Sequence, residues 1–217
     1  MFSLLPPVRK AYRALLDLRD EAVLARIAQP QPVLRVRDEF PLWLNLLNLR
    51  SKGVEIGVQR GTFSTVLLSG WAGQHLTCID PWRSFDPTSY HDTANVEQAR
   101  QDANFEITRQ RLAPFGDRAS QLRKTSAEAA GDFAEGSLDF AYIDAQHHYE
   151  AVVEDIALWW PKVRLGGVLA GHDYLDGIVS GTDFGVKRAV DEFAQAQGLP
   201  VIASLEMDYP SWFIVKA

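Results

Sequence analysis

With 217 residues, 47% of them hydrophobic, the chain is long enough for one well-buried α/β domain and too short for two full ones. A formal net charge of −6 excludes the chain-wide basic footprint that holds a nucleic-acid backbone. One cysteine, Cys78 in an apolar run, excludes a disulfide framework and a cysteine metal site, and no run of eighteen apolar residues marks a membrane span.

The first residues, Met-Phe-Ser-Leu-Leu-Pro-Pro, lack the charged start and long apolar run of a secretory signal, so a cytoplasmic location is expected. Over residues 8–27, Ala11, Leu15, Leu18, Ala22 and Ala25 recur at three- and four-residue intervals and predict a helix, which Gln29-Pro30-Gln31-Pro32 breaks. A second helix is expected over 38–49, with Asp38 as its N-cap and Phe40, Trp43, Leu44 and Leu47 facing the core. Together these form an N-terminal helical cap, residues 1–50, before a main domain over 51–217. Strands are predicted at 54–58, 75–79, 120–124, 138–143, 167–171, 201–205 and 212–215, and helices at 62–69, 96–113, 127–133, 149–160 and 185–196. Apolar strands alternating with helices imply a Rossmann-like α/β fold: a seven-stranded, mainly parallel sheet with helices on both faces. The last two strands lack an intervening helix and are expected to form an antiparallel C-terminal hairpin. Two long connections, 81–95 and 174–184, follow strand ends where ligands of open α/β sheets bind, and both are lid candidates. Gly177 and Gly181 are hinge candidates in the second.

The most informative segment is Glu55-Ile56-Gly57-Val58-Gln59-Arg60-Gly61, a glycine turn between a strand and a helix. Gly57 permits the tight reversal, and Gly61 lets a ligand or packed backbone approach the helix start. The dinucleotide fingerprint needs glycine where Gln59 stands, so the usual pyrophosphate cradle is missing. Glu55 puts a carboxylate at the strand end, which repels phosphate and attracts a cation. Asp80 closes the next strand near the spacing expected of an acid that bonds ribose hydroxyls. An acid for a cation and an acid for a ribose point to an aminoacyl-type nucleoside such as S-adenosylmethionine. Trp82 and Arg83 follow, either as an adenine-side wall or as a turn anchor.

A second constellation begins at Asp144, which ends the strand 138–143 and is followed by His147 and His148; the next strand ends in His172-Asp173. Neighbouring strands lie about 4.8 Å apart, so these side chains can converge on one ion or one substrate oxygen. His172 and Asp173 face the same pocket only if the strand has already ended, and Asp173 is favoured. His147 has the pKa range of a general base, with backbone hydrogen bonding as the alternative role.

Glu55-x-Gly57-x-x-x-Gly61, Ile79-Asp80-Pro81-Trp82, Ile143-Asp144-x-x-His147-x-Tyr149-Glu150, Gly166-Gly167 to His172-Asp173-Tyr174 and Gly185-Val186-x-x-Ala189-Val190 together resemble a class I S-adenosylmethionine-dependent methyltransferase. The resemblance covers about Gly53 to the C-terminus and is strongest to the small bacterial group of macrocin and mycinamicin sugar O-methyltransferases and the cephalosporin-biosynthesis methyltransferase. It implies that Glu55, Gly57 and Gly61 line the methionine end of the cofactor, Asp80 the ribose and Ser126 the adenine, with Trp82 and Asp144 also at the cofactor. It further implies that Asp144 and Asp173 hold Mg²⁺ and that His147 is the base. At His172 those sugar enzymes carry an acid; a histidine there suits Mn²⁺, Fe²⁺ or Zn²⁺ better, and Asp144, His172 and Asp173 form the candidate metal set. The expected activity is methylation of a hydroxyl on a small molecule, without nucleic-acid or membrane partners, and a homo-oligomer is left open. Two other classes fit less well. Nucleic-acid or protein methylation fits less well, because Asp144-Ala145-Gln146-His147 stands where base-methylating enzymes carry Asn/Asp-Pro-Pro-aromatic. A non-catalytic cofactor-binding subunit fits less well because Asp144, His147 and Asp173 are present.

Overall fold

The computed structural model describes residues 33–86, 94–179 and 181–217. The helix expected over 8–27 and the middle of the first lid lie outside them. Residues Val33–Lys216 form one compact unit, so the domain boundary expected at residue 50 falls inside it.

Helix α1 (Phe40–Leu46) opens with Pro41 in its first turn, after a 3-10 turn over Arg37–Glu39. Glu39, not Asp38, is the cap residue, and no side-chain cap bond forms. The helix ends before the expected Leu49 because Asn48 turns left-handed, at φ 57°. Phe40, Trp43 and Leu44 are nevertheless buried as the apolar stripe requires. Phe40 sits against Phe140, Tyr142 and Phe213 at ring separations of 5.5, 5.6 and 5.1 Å. The described part of the expected cap, residues 33–50, thus contributes to the main core.

The remaining elements run β1 (Lys52–Ile56), α2 (Thr62–Gly70), β2 (His75–Ile79), α3 (Gln98–Leu112), β3 (Ala119–Leu122), α4 (Ser126–Ala130), β4 (Leu138–Ile143), α5 (Tyr149–Trp159), β5 (Val163–Gly171), β6 (Asp176–Val179), β7 (Thr182–Gly185), α6 (Val186–Gln197), β8 (Ile202–Ala203) and β9 (Trp212–Val215). Seven strands form one sheet in the order β3-β2-β1-β4-β5-β9-β8. β1 to β5 pair in parallel, and β9 pairs antiparallel to both β5 and β8. The expected mainly parallel sheet with its antiparallel C-terminal hairpin is present. The hairpin is shallower than expected, since β8 keeps only two residues.

Strand alternation divides the core. Val54, Ile56, Ala141, Ile143 and Leu169 face one way, toward Ile156 and Trp159 of α5 and Val190 of α6. Leu76, Cys78, Phe140, Tyr142 and Val168 face the other way, toward Trp43 of α1 and Leu67 of α2. A sheet buried on both faces requires this near-continuous apolar run, and β4 is buried at all six positions. One acid is tolerated there because it is fully occupied: Asp139 accepts from the Ser51 N–H at 2.5 Å and from Arg164 Nε at 2.6 Å, tying the starts of β1, β4 and β5.

The second lid differs from expectation. Its chain forms the antiparallel pair β6–β7, with the expected hinge glycines Gly177 and Gly181 at φ 99° and 85°. Thr182 and Phe184 are buried while Ile178 stays exposed, so one face of the ribbon packs down.

Phe40→Ala should cost about 3–5 kcal/mol in chemical denaturation, as a buried aromatic in the core does. Leu46→Ala, on the exposed side of the same helix, should stay within about 0.5 kcal/mol of the parent.

Candidate active site

The order of the strands reverses between β1 and β4, and a cleft opens at their C-terminal ends. It has a volume of about 420 Å³, within the range of small-molecule sites. At its floor, Gly57 turns back at φ 84° under the backbone of β4. A Cβ built there would come within 1.8 Å of the Asp144 carbonyl oxygen, so only glycine fits. The Gly57 N–H donates to the Ile79 carbonyl at 2.9 Å, and the Asp144 N–H donates to the Ile56 carbonyl at 2.7 Å. Three strand ends are pinned together by these bonds.

Asp80 organises the loop above. Its Oδ2 accepts from the N–H groups of Val58 and Gln59 at 3.0 and 2.9 Å, and its Oδ1 accepts from the Trp82 N–H at 2.7 Å. Asp80 lines the cleft. Gly61 does not line it; the residue caps α2 at φ 70° and faces Thr108 of α3, where a Cβ would meet Cγ2 at 2.9 Å. Trp82 is also displaced from the expected wall. Its indole is fully buried, donates to the Gln59 carbonyl at 2.7 Å and meets Phe105 edge-on, so of its two expected roles it takes that of turn anchor. Arg83 and Phe85, just after it, do line the cleft.

Glu55 is 1% exposed at the end of β1. Burial drives its carboxyl up to about 8, against the opposing hydrogen bond donated by Ser64. At neutral pH it is mostly protonated, and a cation placed beside it favours the ionised form.

At the other end of the cleft, Ser126 opens α4 and lies in the wall as expected. Its hydroxyl donates to Asp155 and accepts from Trp159 Nε1 at 2.8 Å. Asp155 is buried, and desolvation raises it to about 6. The sequence reading missed Asp155; the available signal was an acid on the buried face that Val152, Ile156 and Trp159 give α5.

The four polar residues after β4 and β5 come together. His147 Nε2 lies 2.9 Å from Asp173 Oδ2, and His172 Nδ1 lies 3.0 Å from Asp173 Oδ1. Burial raises the Asp173 carboxyl, but the hydrogen bonds from His147 and His172 outweigh it and hold the group well below the usual range. β5 ends at Gly171 and Asp173 turns left-handed at φ 54°, which is how consecutive residues reach one cluster. Asp144 is raised by burial, with His172 and Arg37 opposing. One ligand atom each from Asp144, His147 and Asp173 lies within 4.8 Å of the others. This grouping differs from the expected set in one member: His147 stands in it, while His172 lies 3.9 Å from Asp144 and 3.0 Å from Asp173 and does not line the cleft. Two carboxylates with an imidazole suit Mn²⁺, Fe²⁺ or Zn²⁺ better than Mg²⁺. His147 is also stacked on Phe184 at 4.7 Å, which only the β6–β7 ribbon makes available.

Arg37 enters from the segment before β1, with its guanidinium 4.8 Å over the Phe63 ring and Nη1 3.3 Å from Asp144 Oδ2. No motif in the sequence marked it.

A parallel sheet switching direction above a glycine turn, with acids at the ends of β1 and β2, is the architecture of class I methyltransferases. A family model described as a methyltransferase domain matches residues 54–174, more than half of the chain, and the chain belongs to that family. Among solved structures, it is similar to an O-methyltransferase from Bacillus cereus in complex with S-adenosylhomocysteine (16% identity, 94% of this chain and 91% of that one, TM-score 0.60). It is also similar to the O-methyltransferase TomG of Streptomyces achromogenes, in complex with S-adenosylmethionine (17% identity, 83% and 79%, TM-score 0.58). A third similar structure is the 1,6-didemethyltoxoflavin-N1-methyltransferase of Burkholderia thailandensis (13% identity, 100% and 93%, TM-score 0.56). An uncharacterized protein of Sinorhizobium fredii, y4gI, is 24% identical over 138 residues; the match spans 62% of this chain and only 14% of that protein's length. No helix among the described residues is long and apolar enough to cross a membrane.

The raised Glu55 carboxyl makes a signed prediction for the ligand-free protein. The unfolded chain loses this proton near pH 4.5 and the folded one near 8, so stability falls as pH rises across that window. Glu55→Gln should remove that fall: in denaturation curves the variant gains on the parent steadily from pH 5 to 8 and no further above it.

Proposed function

We propose that this protein is an S-adenosylmethionine-dependent methyltransferase acting on a hydroxyl group of a small molecule. The observation that carries the reading is the pairing of two chemically different ends in one cleft. Glu55 and Asp80 stand at the end suited to a cationic nucleoside, and Asp144, His147 and Asp173 stand together where an acceptor oxygen could lose its proton. Oxygen as the acceptor atom is supported by the names of two similar structures, while the Burkholderia enzyme shows that the same fold also serves nitrogen.

Bound S-adenosylmethionine supplies an already activated methyl group, so the protein's task is to bind, align and deprotonate. Glu55 takes up the ammonium group and ionises as it does so. Asp80 keeps the β1–α2 loop in place and offers its remaining oxygen lone pairs to the ribose. Ser126, oriented by Asp155 and Trp159, lies at the adenine end. At the acceptor end, His147 is held by Asp173 and by its stack on Phe184, the arrangement of a base with an orienting partner. Asp144, His147 and Asp173 could instead hold a divalent ion, which would lower the pKa of the acceptor hydroxyl. The two roles of His147 exclude each other, and the fit of the three ligand atoms makes both worth testing.

Asp80→Ala should weaken S-adenosylhomocysteine binding by about 10- to 100-fold in calorimetry, the cost of losing a charged hydrogen-bonding group. Absence of binding of both S-adenosylmethionine and S-adenosylhomocysteine to the folded parent protein would disprove the reading. For the acceptor end, turnover that survives excess chelator assigns His147 as a metal-free base, and His147→Ala should then lower kcat by about 10²- to 10⁴-fold. Turnover abolished by chelator and restored by a divalent ion assigns the metal.

A further inference from the structure

Arg37 lies ahead of the segment that the family model matches, yet its side chain reaches the acid-rich end of the cleft. We propose that Arg37 receives the α-carboxylate of the cofactor's amino-acid tail and gives up Asp144 when it does. This rests on the methyl-donor reading above.

An α-amino acid carries its ammonium and carboxylate on one carbon, so a site that offers Glu55 to the first must offer a donor to the second close by. The cleft is otherwise hostile to an anion there, because Glu55, Asp80, Asp144 and Asp173 all line it. Arg37 is close enough for its charge to act on Glu55. The other lining cations are directed elsewhere: Lys124 pairs with Asp132 at 2.6 Å, Arg83 lies 4.7 Å over Phe85 beyond β2, and Arg60 is exposed at the start of α2.

Arg37 is also held ready. Phe63 supports the flat face of its guanidinium at 4.8 Å, and its own N–H donates to Glu206 Oε2 at 3.1 Å, fixing the backbone from which the side chain extends. A planar fork supported on one face turns its edge donors to acceptors, here the Tyr142 hydroxyl and Asp144. Its contact with Asp144 is a single bond at 3.3 Å, longer than the 2.7–2.9 Å typical of charge-assisted pairs and not bidentate. An incoming carboxylate that binds the fork with both oxygens therefore displaces it. Asp144 becomes available to the acceptor end only after the donor is in place.

The test is calorimetric, with the parent and Arg37→Gln titrated with S-adenosylhomocysteine and with 5′-methylthioadenosine, which lacks the amino-acid group. Arg37→Gln should weaken S-adenosylhomocysteine by about 10- to 100-fold, as loss of charged hydrogen bonds does, and leave methylthioadenosine within about twofold. Arg37→Lys should fall between. A second measurement needs no variant: an S-adenosylhomocysteine analogue with hydrogen in place of the carboxylate should bind the parent more weakly by a similar factor and should not distinguish parent from Arg37→Gln. Equal losses for both ligands in Arg37→Gln would reduce Arg37 to a structural role, and full affinity for S-adenosylhomocysteine in that variant would overturn the proposal. If the parent binds methylthioadenosine and S-adenosylhomocysteine equally, the carboxylate contact is wrong while the nucleoside reading stands; if it binds neither, the methyl-donor reading falls first.

Discussion

The close approach of two backbones at the switch in strand order is the constraint on which the site depends. Gly57 passes beneath Asp144 with no room for a methyl group, and the bonds Gly57 N–H to Ile79 and Asp144 N–H to Ile56 lock the ends of β1, β2 and β4 into one ledge. Every cleft residue discussed above is carried by a segment that leaves this ledge or lies beside it. Asp80 then fixes the loop from above, since its carboxylate takes three backbone N–H groups that the turn cannot satisfy within itself.

Crowding acids on such a ledge has an electrostatic consequence. Glu55 and Asp155 respond by keeping their protons to higher pH, because burial deprives them of water and the single hydroxyl each receives is too little compensation. Asp173 goes the other way, because two histidines donate to it. Carboxyls lining or backing one cleft thus shift in opposite directions, Glu55 and Asp155 upward and Asp173 downward, and the difference is set by the number of donors within reach.

Local backbone strain is concentrated around the same site. Gln59, Trp82 and Asp173 all adopt positive φ without being glycine, at 49°, 39° and 54°. Each is over-determined by bonds already described: Trp82 by its indole and amide, Gln59 by its N–H to Asp80 and its carbonyl to Trp82, and Asp173 by two imidazoles. The strain at Asp173 has a direct result, since it brings His172 and Asp173 to one cluster although they are adjacent in sequence.

The sequence alone determined the layers and the ledge. Apolar strand runs, the glycine turn and acids at strand ends are local patterns set by hydrophobic periodicity and backbone sterics, and they singled out Glu55, Gly57, Asp80, Asp144 and Asp173, with His147 beside them, whereas Ser126 came from the family resemblance alone. Tertiary structure alone decided what depends on residues distant in the chain. It moved Gly61 and Trp82 from the cleft wall to the packing behind it, set His147 beside Asp144 and Asp173, and folded the second lid into the β6–β7 ribbon that supports His147. It also brought Arg37, more than a hundred residues from Asp144 in sequence, to within hydrogen-bonding distance of it. No periodicity announces such a contact, because it arises from how α1 packs on the sheet and not from the residues next to Arg37.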